Sequence, residues 1–196
     1  GTGDTQVDGT LNVTGTWTNN ADTTAELRLD GTDQAWTAGT GLGEVLIEGA
    51  AGTVTLGAAT NVLTLDIGAG KIFDANSLNV AIGSTTLVTP FTINATGTYT
   101  GNGGGLTTTI TAEAASVIPI VDASYANLTV VTTAGDSVSL EVAASETIGG
   151  LLTVTGGTLA TGAVDVTVAG VTGSGTLDAS GGGDIITSNG FEPRGY

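Results

Sequence analysis

Asp30-Gly31-Thr32-Asp33 is the stretch of this sequence whose residue types and spacing come nearest to chemistry. Two carboxylates three positions apart in a turn offer the hard oxygen ligands that Ca²⁺ prefers. The same residues also form an ordinary turn, because Asp-Gly sets a tight bend without any ion. Asp4 with Asp8, and Gly181-Gly182-Gly183-Asp184, are weaker versions of the pattern. Other chemistries lack their parts. The chain has no His and no Cys, so neither a Ser-His or Cys-His nucleophile nor a zinc site with nitrogen and sulfur ligands can be assembled. Its 19 Asp and Glu residues are scattered as on a solvated face rather than paired as a glycosidase needs. A proton-abstracting base would have to be Arg28 or Lys71. The sequence reads as a non-enzyme that requires no cofactor, with Ca²⁺ at Asp30 and Asp33 as the one ion its residues suit.

The segments that must carry these residues alternate with a period of two. Leu27-Arg28-Leu29, Val54-Thr55-Leu56, Leu63-Thr64-Leu65 and Val164-Asp165-Val166-Thr167-Val168 each put apolar residues on one face and polar ones on the other. Glycine clusters such as Gly41-Leu42-Gly43, Gly101 to Gly105 and Gly181 to Gly183 separate them. The chain also repeats itself. Gly15-Thr16-Trp17-Thr18 returns as Gly97-Thr98-Tyr99-Thr100 at an offset of 82. Gly52 to Leu56 meets Asp136 to Leu140 at 84, and Leu78 to Ile82 meets Val164 to Val168 at 86. The expected fold is all-β: a single elongated, parallel β-helix-like solenoid of two copies of about 85 residues, in one domain spanning residues 1–196. The copies run from about 9 to 90 and 91 to 180, with 181–196 as a partial third repeat and tail. Two tandem β-sandwich domains are the alternative, weakened by the absence of the Cys and Trp core of antibody-like domains.

With three basic residues and a formal charge of −16, the chain cannot neutralise phosphates, so nucleic acid is excluded as a partner. It has no 18-residue apolar run to insert into a bilayer. An opening at Gly1 without Met suggests a processed chain. Asn12-Val13-Thr14, Asn94-Ala95-Thr96 and Asn127-Leu128-Thr129 are sequons, which makes Asn12, Asn94 and Asn127 glycosylation candidates. Trp17 and Tyr99 hold matched positions and could stack on sugars, or else cap the core at the end of a coil. An ice-binding array would need a Thr-x-Thr ladder at the coil period, and the irregular Thr spacing argues against one. In an aromatic-poor chain, the tail concentrates Phe191, Arg194 and Tyr196, which points to docking on a neighbouring subunit or to capping of the solenoid end.

Asn127-Leu128-Thr129-Val130, Thr147 to Leu159 and Val164 to Gly170 together resemble the Thr/Gly-rich repeats of secreted bacterial surface proteins, the β-solenoid passengers of adhesins and autotransporters. The likeness covers roughly residues 9 to 180. It implies a structural or adhesive role at the cell surface or outside the cell. The expected function is therefore an extracellular structural subunit that self-associates into a surface fibre, filament or sheath, with copies of itself as partners. The alternative is an adhesin or carbohydrate-binding segment of a larger cell-surface protein, with glycans as its partners.

Overall fold

The structure, a computed structural model, describes residues 5–7, 9, 11–12, 26–37, 42–101, 103–143 and 145–188. Among them there is no helix, and hence none long and apolar enough to cross a membrane. Every strand pairing is parallel, and strands stack turn upon turn into a β-solenoid of about eight turns. The expected solenoid is the fold, and tandem sandwiches are not.

Each complete turn lays down three strand segments, so the stack has three sides. In one turn they are the first half of Thr60–Ile67, its second half, and Lys71–Asp74. In the next they are Val80–Gly83, Phe91–Ile93 and Thr98–Gly101. Thr60–Ile67 rounds a corner, pairing with Val80–Gly83 through Thr60 to Val62 and with Phe91–Ile93 through Leu65 to Ile67. Such long strands knit the first and second sides into one 12-stranded sheet. The third side is a six-stranded sheet joined by a single bridge, Tyr125 to Ile148, to a three-stranded sheet.

Alternation fixes which residues fill the interior. On the first side Val62, Ile82, Ile110, Val130 and Val154 lie in register and are buried. On the second side Leu27, Val45, Leu65 and Phe91 do the same. Burying each such side chain stabilises the fold by roughly 1.5–3 kcal/mol. The third side adds rings. Trp36 and Phe73 lie 5.8 Å apart, Phe73 and Tyr99 5.8 Å, and Tyr99 and Tyr125 5.5 Å, with Phe91 edge-on to Tyr99 at 5.4 Å.

Turn length varies from 18 residues between Leu27 and Val45 to 28 between Ile82 and Ile110, and corner loops absorb the difference. Gly156 marks the corner between the first and second sides. It has φ +93°, and a Cβ there would sit 1.9 Å from the Thr132 carbonyl oxygen, so only glycine fits.

The structural period is the turn, not a unit of about 85 residues. Segments matched at offsets of 84 and 86 occupy different sides: Gly52–Leu56 is on the third and Ser137 to Leu140 on the second, while Val80–Gly83 is on the first and Asp165–Val168 on the third. The matches reflect shared strand chemistry rather than equivalent positions.

Candidate functional site

The Asp30-Gly31-Thr32-Asp33 turn links the second side to the third. Lys71, with 0 % of its surface exposed, reaches it from two turns further along and donates from Nζ to the Gly31 carbonyl. Burial pushes the Lys71 pKa below the ordinary lysine value, and the Asp30 and Asp33 carboxylates oppose that shift. Asp33 Oδ1 accepts from the Thr53 amide at 3.0 Å, and Asp30 Oδ2 accepts from the Gln6 side chain. Asp30 Oδ1 is buried without a hydrogen-bond partner. Among the described residues no group of three or more His, Cys, Asp or Glu gathers to hold a metal. The cation that the turn meets within the chain is the Lys71 ammonium, a feature that spacing in sequence did not reveal because 38 residues separate Lys71 from Asp33.

Tyr99 corrects the glycan-stacking expectation. Its side chain is fully buried, its ring lies among Phe73, Phe91 and Tyr125, and its hydroxyl sits 2.7 Å from Thr108 Oγ1. No ring face is left for a sugar, and the ring sits mid-stack rather than at a coil end. Its matched partner Trp17 lies outside the described residues, as do Asp4, Asp8 and the tail residues Phe191, Arg194 and Tyr196.

The sequons divide. Asn94 is exposed, but its amide nitrogen donates to Asp66 Oδ1 at 2.6 Å, and Thr96 of the same sequon sits at φ +69°. Asn127 is half-buried and commits both ends of its amide, donating to the Leu106 carbonyl at 2.9 Å and accepting from the Leu151 amide at 2.9 Å. It stitches three turns together, and a glycan on this amide would have to displace its bond to the Leu106 carbonyl. Asn12 lies in the strand Leu11–Asn12.

What sequence reading missed is a threonine ladder. Thr109, Thr129, Thr153 and Thr172 are directly in register on the first side, one above another in four consecutive turns. The column continues through Ala81 to Asn61. Thr107 and Thr111 flank it in one turn and Thr155 in another, so a single threonine column repeats at the coil period while Thr-x-Thr pairs do not. Its spacing is regular in space and irregular in sequence because the corner loops differ in length. Where Ala81 interrupts the column, a shallow depression of about 200 Å³ opens between Asn61, Asn79, Thr107 and Thr109.

Compared with protein-family models, with curated proteins and with solved structures, the chain matches none.

Proposed function

We propose that this chain is an extracellular structural subunit that self-associates into a surface fibre, filament or sheath. One observation carries the reading: every strand pairing among the described residues is parallel and stacked along one axis, from Thr5–Val7 to Ile185–Thr187, so each turn offers the same row of backbone donors and acceptors to whatever strand lies against it. A stack of this kind extends by adding strands along its axis, from its own chain or from another copy. An interior filled by side chains suits a scaffold, and the extracellular location follows the resemblance to repeats of secreted surface proteins. Electron microscopy with sedimentation, across protein concentration and salt, tests it. Filaments or oligomers are expected, and monodisperse monomers in every condition would overturn the proposal.

The second reading, a carbohydrate-binding segment, draws on the depression beside Asn61. Its polar rim and Ala81 floor match the mixed surface of a neutral sugar. Binding on a glycan array that is lost in Asn61→Ala supports it, and an array without signal removes it.

A further inference from the structure

The outward positions of the first side, from Asn61 to Thr172, hold only Asn, Ala, Gly, Thr, Val and Leu. In a chain with a formal charge of −16, these described positions carry no ionisable group. The other two sides do. Glu26, Glu44 and Asp66 face outward from adjacent turns of the second side, and Asp74 and Asp165 from the third.

This segregation decides how two copies can meet. Apposed second or third sides would set carboxylates against carboxylates. Each such pair costs about 1 kcal/mol at 4 Å in bulk water and more as water is squeezed out. Apposed first sides bring together methyl and hydroxyl groups, with Leu151 already 47 % exposed. The ladder also sets a spacing. Turns repeat every ~4.8 Å along the axis and outward residues every ~6.6 Å along a strand. A second copy has the same lattice, so two first sides stay in step over their whole length about a two-fold axis. Six turns by about five residues give about 460 Å² a copy. The total of about 900 Å² falls just short of the roughly 1,000 Å² of a stable complex, so one contact is weak and gains strength when repeated along a fibre.

We infer that the threonine side is a self-association face on which a second copy of this chain packs face to face. The inference rests on the self-association reading and supplies its lateral contact.

The test compares sedimentation of the wild type with the double variants Thr129→Glu/Thr153→Glu and Thr129→Lys/Thr153→Lys, and with Thr167→Glu on the third side as control. Circular dichroism melts establish that each is folded. The wild type should associate more strongly as salt rises, because salt screens the repulsion between the acidic sides. Either ladder variant alone should weaken association at least tenfold, the control should not, and mixing the Glu and Lys variants should restore it. That rescue separates a contact face from a merely structural role. If the ladder variants assemble as well as the wild type, this face is not the contact, although self-association survives. If the wild type is monomeric throughout, both proposals fall. Binding of ice or of a neutral glycan by a wild type that stays monomeric would assign the face to that ligand and overturn the inference.

Discussion

The first and second sides share one sheet, one strand period and one apolar interior, yet their outer surfaces are opposites. The first is neutral and laddered. The second is an electrostatic network in which Arg28 reaches Glu26 at 2.8 Å and Glu48 at 2.7 Å. Burial raises the pKa of Asp66, the Asn94 hydrogen bond partly offsets this, and Glu48 and Glu26 raise it further. In this solenoid the inward residues define the fold, and the outward residues are free to give each side its own character.

The largest expected effect removes what the sides have in common. Phe73→Ala deletes the ring between Trp36 and Tyr99 and should destabilise the chain by about 3–5 kcal/mol in denaturant titrations. A loss below about 1 kcal/mol would mean that the rings are not packed as described. Next comes the corner where the two sides join. Gly156→Ala meets both the left-handed backbone and the Thr132 carbonyl, at a cost of about 1–3 kcal/mol by thermal melting. A neutral outcome would contradict that geometry.

Arg28→Ala sharpens the contrast directly. Its ion pairs with Glu26 and Glu48 are half-exposed, so the loss should be only about 1 kcal/mol at low salt, shrinking at high salt. Thr129→Val on the first side should stay within about 0.5 kcal/mol at any salt concentration. Equal salt dependence in the two variants would erase the distinction.

The pH response should draw on Asp66 of the second side and on Glu146 of the third, whose pKa burial also raises. Asp66 has a folded pKa above its ordinary 3.8, so the native state binds its proton first as pH falls. The group therefore adds stability as pH drops from neutrality through the raised value, and the gain is complete below the unfolded value. Asp178, with its pKa lowered by hydrogen bonds from Ser180, works in the opposite direction. Asp66→Asn should flatten the stabilising part of the curve, and an unchanged curve would remove Asp66 from the account. The smallest effect concerns calcium. If Lys71 occupies the place a cation would take, calcium should raise the melting temperature of Lys71→Gln more than that of the wild type. Equal responses, or none in either, would end the case for an ion at Asp30 and Asp33.

Much of the fold was legible because alternation reports burial directly: Leu27 and Leu29 point inward around Arg28, and Val166 and Val168 around Thr167. The alternation misled at a corner. Leu63 and Leu65 read as one face, but the strand bends between Val62 and Leu65, which leaves Leu63 half-buried. Self-matching misled for a different reason. Every side uses the same Thr, Val, Leu and Gly vocabulary, so segments from different sides align with one another. The ladder and the Lys71 contact depend on register between turns of unequal length, which a linear sequence does not display.

The parallel stacking has a mechanical consequence. Backbone hydrogen bonds between turns run along the axis, so tension on the two ends loads them one turn at a time instead of shearing them together. Peeling a turn such as Val45 to Leu65, 20 residues long, releases about 65 Å of chain while the stack shortens by about 5 Å. A tether built this way yields by gradual extension instead of snapping, and the turns that remain stacked keep their outer faces intact.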